Sequence, residues 1–441
     1  MRAANATEIG ASKGWIKRMG DPRAMSLSAT IFTRIQGFRS SIMPLLFASG
    51  LLTACVAGPE RISVPAEQAS AVQIEHVDLA RFWGDEVTPT LRSLIAQQYK
   101  QTHDAVRSGR RPRTAVNHVD FLAISGGGAD GAFAAGYLTG WSERGNRPQF
   151  EVVTGVSTGA LAAPFAFLGP SHDRELREVF TQYGDRDIYR NLGLFGVMGR
   201  GLYDNGPLRQ LIGRYLTEEM VTEIAAQYRI GRRLLIQTTN IDAQRPVVWD
   251  LSAIAASARA DRREHMIDIL LASAAIPAVF PPVRIDVRLD SQARQELHVD
   301  GGTVAQIFFA PPNIELSGYE KRYFGHARSR TLYLIRNGRL TPEYAATEET
   351  ALGIARRSIE TLIKYQAISD LVRLQLQTTA ARGQLYYASI PDQFTLSPKS
   401  EFDRRYMQQL FAAGHDEGRL GRWRKQPPLT PVQAAEQRNP G

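Results

Sequence analysis

Cysteine is nearly missing from this chain. Cys55 is the single one in 441 residues, so no internal disulfide can form and a disulfide scaffold is excluded. Long apolar runs are missing too. The clearest, from about Ile42 to Ala54, is roughly a dozen residues, too short to span a bilayer and suited to the core of a signal peptide. No run of Lys and Arg is long enough to follow a phosphate backbone. The net charge of +9 is also uneven. Residues 1–54 hold seven basic and two acidic residues, a net of +5, which leaves 46 basic against 42 acidic residues in the remainder, or +4. That balance argues against a nucleic-acid partner and is compatible with weak attraction to an anionic membrane surface. There is no internal repeat.

What stands at the N-terminus follows an export pattern. Arg34 and Arg39 precede the apolar run, and the run ends in Leu52-Thr53-Ala54-Cys55. These four residues resemble a bacterial lipobox, which implies cleavage before Cys55 and a diacylglycerol on its thiol. Acyl chains would then serve as the anchor in place of a spanning helix. Val56, where inner-membrane retention would want Asp, implies the outer membrane. The stretch before Arg34 is long for a signal peptide, which makes Met25 a candidate start. The competing reading is a core cysteine at the end of an ordinary apolar helix.

Five segments are expected: a lipoprotein-type signal peptide (1–54), a tether with an N-terminal helical segment (55–115), a catalytic domain (116–340), a C-terminal helical extension (341–420) and a disordered tail (421–441). Leu91, Leu94, Ile95 and Tyr99 at helical spacing predict a helix in the second segment. From about residue 118 the pattern changes. "VDFLAIS" reads as a buried strand, "GAFAAGYLTGWSER" as a helix rich in small residues, "FEVVTGVS" as a second strand and "TGALAAPFAFLG" as a second helix. Strand, helix, strand and helix at this spacing predict a parallel βαβ unit. Further strands are expected in "RRLLIQTTNI", "PVVWDL", "ELHVD", "TLYLIRN" and "QLYYASI". The fold class is therefore α/β, with a mainly parallel central sheet flanked by helices.

Gly126-Gly127-Gly128-Ala129-Asp130-Gly131 satisfies the dinucleotide pattern G-x-G-x-x-G. Such a site would want an acidic residue at the end of the second strand. Glu151 sits at the start of that strand, and Ser157 occupies its end. No Gly-Lys-Ser/Thr follows, so a P-loop also fails. Consecutive glycines at a helix start can instead aim backbone N–H groups at one point, the requirement of an oxyanion hole. Gly155-Val156-Ser157-Thr158-Gly159 is a G-x-S-x-G, which places a serine hydroxyl at a strand-to-helix turn beside that loop. A base is still needed. Asp300, before Gly301 and Gly302, stands at a strand end and could take the serine proton directly. His326 or His415 could do so in a triad, while His298 reads as a packing or hydrogen-bonding residue. No metal and no cofactor are expected.

Taken in order, G-G-G-x-x-G, G-x-S-x-G and D-G-G resemble the patatin-like phospholipases. "LASAAIPAVFPPV" (271–283), "GLYDNGPL" (201–208) and "QTTNIDAQRPVVW" (237–249) add to the likeness, which covers roughly residues 118–340. The resemblance implies a patatin-like three-layer fold and a Ser157–Asp300 dyad without histidine. It implies an oxyanion hole from the N–H groups of Gly127, Gly128 and Ala129, and hydrolysis of lipid acyl esters through an acyl-enzyme. The alternatives are an acyltransferase or thioesterase on the same dyad, and an envelope lipoprotein that binds without catalysis. Two departures stand out. Asp130 occupies a position where the family has Arg or Lys, and if exposed it would repel a phosphate headgroup. "TVAQIFFAPP" follows the D-G-G where the family often shows Asn-Pro sooner.

Overall fold

The computed structural model describes residues 61–192 and 201–436. The expected signal peptide, Cys55 and residues 437–441 lie outside the described residues. A nine-stranded sheet organises the described chain. Its strands are β1 (Arg81–Trp83), β2 (His118–Ile124), β3 (Val152–Val156), β4 (Arg233–Asn240), β5 (Arg245–Asp250), β6 (Val283–Leu289), β7 (Gln292–Asp300), β8 (Ser329–Arg336) and β9 (Gln384–Ser389). The spatial order is β1-β5-β4-β3-β2-β8-β9, and β7 pairs with both β4 and β6. Strands β4, β3, β2, β8 and β9 are mutually parallel. The antiparallel strands gather at the β4 side, where β5 folds back on β4 and β1 closes the edge.

Both faces of the sheet are covered, which is why its strands read as continuous apolar runs. In β2, Leu122 and Ile124 enter one apolar cluster, while Val119, Phe121 and Ala123 enter the other. The first cluster takes in helices α2 (Gly131–Glu143), α3 (Thr158–Leu168), α4 (Arg262–Ser273) and α6 (Arg404–Leu420). The second takes in α1 (Pro89–Arg107) and the C-terminal half of α5 (Ala351–Ala380). The expected α1 starts where Thr88 caps it, accepting the Leu91 N–H at 3.1 Å, and Leu91, Leu94, Ile95 and Tyr99 form its buried stripe.

The segment boundaries need correcting. The expected tether supplies β1 and α1, so residues 81–107 are part of the sheet's own architecture. The boundary at 340/341 separates nothing, because β9 extends the sheet from Thr331↔Gln384 to Arg336↔Ser389. α6 also lies against α2 with backbones in near contact. A Cβ on Gly136 or Gly140 would lie 2.0 Å from the carbonyl oxygen of Phe411 or His415. Reciprocally, a Cβ on Gly414 or Gly418 would lie 2.3 or 2.0 Å from that of Phe133 or Tyr137. Only paired small residues allow such an approach. The expected disordered tail is likewise held as far as its first residues: Trp423 packs against Tyr137 and Trp141 with ring centroids 4.8 Å away in each case, and Arg424 exchanges backbone hydrogen bonds with Tyr387. A short helix, Pro431–Glu436, follows.

Candidate active site

Three chain segments meet at the carboxyl edge of the parallel strands, and strand length decides how. β3 pairs with β4 only up to Val156↔Gln237. β4 continues to Asn240, and β5 occupies one edge of that continuation. On the other edge, vacated where β3 ends, β7 arrives antiparallel with the register Thr238↔Asp300. The end of β7 therefore abuts the end of β3. Asp300 is brought to Ser157, whose Oγ–H donates to Asp300 Oδ2 at 2.5 Å.

Ser157 has φ 55° and ψ −127°, a conformation that costs a non-glycine residue about 1–3 kcal/mol. The turn must therefore be held from outside. The Ser157 N–H donates to Ser273 Oγ at 3.0 Å, and Ser273 Oγ–H donates to the Gln237 carbonyl at 2.7 Å. This hydroxyl, at the end of α4, braces the turn and leaves Ser157's own N–H engaged. Gly159 lets α3 start hard against β2, since a Cβ there would lie 2.4 Å from the Ile124 carbonyl oxygen.

Asp300 is buried. Its Oδ1 accepts the Gly302 N–H at 2.7 Å, which holds the carboxyl with its other oxygen toward the serine. Burial pushes its pKa up to about 7, and the hydrogen bonds from Ser157 and Gly302 oppose that rise without cancelling it. An acidic group with such a pKa is suited to exchange protons near neutrality.

The glycine loop lies across from the serine. A Cβ on Gly126 would approach Ser157 Cβ to 3.0 Å, so the loop backbone touches the serine side chain directly. The N–H groups of Gly127, Gly128 and Ala129 have no hydrogen-bond partner among the described residues, whereas those of Gly126 and Asp130 are taken by the Gln306 and Gly127 carbonyls. Gly128 has φ +56°, and a Cβ there would meet nothing within 4 Å, so the loop's outer side is open. Below it runs a belt that sequence reasoning missed. Arg336 Nη1 donates to Ser125 Oγ (3.1 Å) and to the Gly126 carbonyl (2.8 Å). Asn337 Nδ2 donates to the Ser125 carbonyl at 2.8 Å, and its Oδ1 accepts the Ala134 N–H at 3.1 Å. The signal was present in "TLYLIRN", where polar residues end an apolar strand.

Asp130 turns out to be a structural residue. Its Oδ1 accepts the hydroxyl of Tyr406, on α6, at 2.5 Å, and burial raises its pKa. The carboxylate that would have repelled a headgroup is engaged by α6, and the buried cation Arg336 reaches the loop from β8 instead. The other departure also has a place. Gln306, in "TVAQIFFAPP", donates from Nε2 to the Gly302 carbonyl at 2.9 Å, and its Oε1 lies 3.3 Å from where a Gly126 Cβ would stand. It bridges the Asp-Gly-Gly turn and the glycine loop. Gln237 braces the same turn through the Gly301 carbonyl at 3.1 Å.

The histidine alternatives do not reach the serine. His326 precedes β8 and contacts Asn117, just before β2, which puts it at the opposite edge of the sheet. His415 lies on α6 and pairs with Glu143 at 2.9 Å. His298 is buried between Thr238 Oγ1 (2.9 Å) and Glu296 Oε2 (3.2 Å), and burial lowers its pKa. Glu151 also lies at the far edge, paired with Arg328 at 2.9 Å and Arg111 at 3.1 Å, so a ribose-binding role for it fails. Among the described residues, no group of His, Cys, Asp and Glu is arranged to hold a metal ion.

Residues 122–311 match the family model described as patatin-like phospholipase. No curated protein matches the chain. Among solved structures, similarity extends to VipD from Legionella pneumophila at 11% identity and a TM-score of 0.35, covering 71% of this chain and 68% of that one. It also extends to human GIVD cytosolic phospholipase A2 at 8% identity and a TM-score of 0.37, where the match covers 78% of this chain and 65% of that one, just under two thirds of its length. The matched residues, 122–311, carry the glycine loop, Ser157 and Asp300, and over them this chain is similar to the patatin-like phospholipases.

Proposed function

We propose that the chain is a serine hydrolase of lipid acyl esters that works through Ser157 and Asp300. The observation that carries this reading is the 2.5 Å hydrogen bond from the Ser157 hydroxyl to Asp300, beside three unengaged backbone N–H groups. Ser157 Oγ attacks the ester carbonyl carbon while its proton passes to Asp300 Oδ2. The N–H groups of Gly127, Gly128 and Ala129 receive the oxyanion. Collapse breaks the bond to the alcohol, which leaves with the proton from Asp300. Water then gives a proton to Asp300 as its oxygen attacks the acyl carbon. The carboxylic acid departs as the proton returns to Ser157. An apolar pocket is lined by Leu161, one turn after Ser157, and by Pro164, Phe165, Leu208, Leu211 and Leu270. Such a lining suits a hydrocarbon chain.

A fluorophosphonate probe tests the nucleophile. It should label the parent and fail to label Ser157→Ala, whose esterase activity should drop to background. Equal labelling of the two proteins would refute the assignment. Product analysis with an added alcohol distinguishes a hydrolase from an acyltransferase, because only the latter forms a new ester in preference to free acid.

We also propose that the chain is lipidated at Cys55 and held at the outer membrane, facing the periplasm. The reading rests on the basic residues, the apolar run and Leu52-Thr53-Ala54-Cys55. In cells fed an alkyne fatty acid, Cys55→Ser should carry no label and migrate as an uncut precursor. Undiminished labelling would exclude this site.

A further inference from the structure

α5 is amphipathic along its whole length, but its two halves use their apolar residues oppositely. In the C-terminal half, Ile368, Leu371 and Leu374 are buried in the cluster beneath the sheet, and Ala367 beside them is also buried. The same helix face, followed back two turns, carries Lys364, Glu360 and Arg357. Two of these meet the preceding loop through polar contacts: Lys364 Nζ donates to the Thr341 carbonyl at 2.6 Å, and Arg357 donates to the Glu343 carbonyl, while Glu360 pairs with Arg356 and Arg357 of its own helix. The apolar residues of the N-terminal half point the other way. Ile354 and Ile359 are each 53% exposed, Tyr365 54% and Leu362 69%, and Tyr344, in the loop before the helix, is 99% exposed. Large apolar groups turned outward, with Lys364 and Arg357 engaged on the opposite face, depart from the pattern of a solvated surface helix.

This face adjoins the candidate site. Gln366, at the end of the exposed half, donates from Nε2 to the Val304 carbonyl at 2.5 Å and accepts from Gln306 Nε2 at 3.2 Å. One turn later, Asp370 accepts the Ile307 N–H at 3.1 Å. The helix is thus bonded to the loop that follows Asp300 and bridges to Gly126. A folded partner seated on this face would stand at the rim of the site, whereas a lipid surface seated there brings acyl esters to it. The stretch 351–366 would run roughly 24 Å, and no described helix is long and apolar enough to cross a membrane. A short helix with one apolar face and tyrosines beside it fits the plane of a lipid–water interface.

We infer that the N-terminal half of α5 is an interfacial docking helix that seats the mouth of the Ser157–Asp300 site on a lipid surface. The inference rests on the lipid-ester reading above. Its test uses the full chain in a Cys55→Ser background, which is free of cysteine, with an environment-sensitive fluorophore attached at Leu362→Cys. Phosphatidylcholine vesicles, with or without phosphatidylglycerol, should shift the emission to the blue, and brominated acyl chains should quench it. Ile359→Glu combined with Leu362→Glu should cut hydrolysis of vesicle-borne esters by about tenfold or more and leave turnover of a monomeric butyrate ester unchanged. A label that stays in water while vesicle esters are hydrolysed would overturn the inference. So would a dimer, seen by light scattering, that the Glu pair dissociates. Labelled Ser157→Ala separates the two readings: it should insert like the parent and hydrolyse nothing. Insertion without hydrolysis in the parent would sink the enzymatic reading alone.

Discussion

Asp300→Asn will all but abolish ester hydrolysis and will melt at a higher temperature than the parent at pH 8. Both effects come from one burial. The carboxyl has a folded-state pKa near 7 against an ordinary value of 3.8, because burial disfavours its charge. Between these values the folded chain holds a proton that the unfolded chain has released. The stability contributed by that proton is complete below about pH 4 and is lost as pH rises through about 7. Above pH 7 the folded state carries an ionised carboxylate out of water, at a cost of up to about 4 kcal/mol. Asparagine carries no charge at any of these pH values. Its stabilising effect should therefore be largest at pH 8 and vanish near pH 4, as denaturant titrations at the two pH values will show. Loss of the base should lower kcat on a soluble ester by about 10²–10⁴-fold. In the parent, kcat/KM should fall tenfold per pH unit below a midpoint near 7, where Asp300 is protonated in the free enzyme. An acid limb near pH 4, or equal melting of variant and parent at pH 8, would contradict the burial argument.

Gly418→Leu should destabilise the chain by about 3 kcal/mol or more. The new Cβ would fall 2.0 Å from the Tyr137 carbonyl oxygen, and backbone cannot move aside as a flexible side chain can. α6 would have to lift from α2. Because α6 also carries Tyr406, the contact to Asp130 beside the glycine loop would go with it, so activity should fall along with the melting temperature. Gly318→Ala is the matched control. A Cβ there meets nothing within 4 Å, so melting should be unchanged or slightly raised. If Gly418→Leu melts with the control, the close helix pair does not carry the load described.

The candidate site's motifs were legible in the chain because they depend on local spacing. Gly126 to Gly131, Gly155 to Gly159 and Asp300 to Gly302 are short motifs at strand ends, and each needs only its neighbours to be read. Apolar periodicity likewise revealed β2, β3 and the buried stripe of α1. Reading failed where distant segments meet. Asp130 stood where the resemblance wants a cation and would repel a headgroup if exposed, and only α6, some 270 residues further along the chain, supplies the Tyr406 hydroxyl that engages it. Ser273 and Gln306 were ordinary polar residues in a family-like block and an atypical stretch. They act through a strained turn and a loop that they reach across the fold. The C-terminal segment read as an appendage, because nothing local says that β9 will pair with β8 or that Gly414 and Gly418 will face Gly136 and Gly140.

By itself, then, the sequence determined which groups are candidates for the proposed chemistry: a serine at a glycine-flanked turn, an acid before two glycines, and a run of glycine N–H groups. Tertiary structure decided which of the candidate groups the serine meets. β4 outruns β3, β7 fills the vacated edge, and Asp300 arrives at Ser157 while His326 and His415 stay elsewhere. The physical reason is range. Motifs are set by dihedral and hydrogen-bond constraints over a few residues, whereas the length of one strand relative to its neighbour, and the closeness of two helices, exist only once the sheet and its layers have formed.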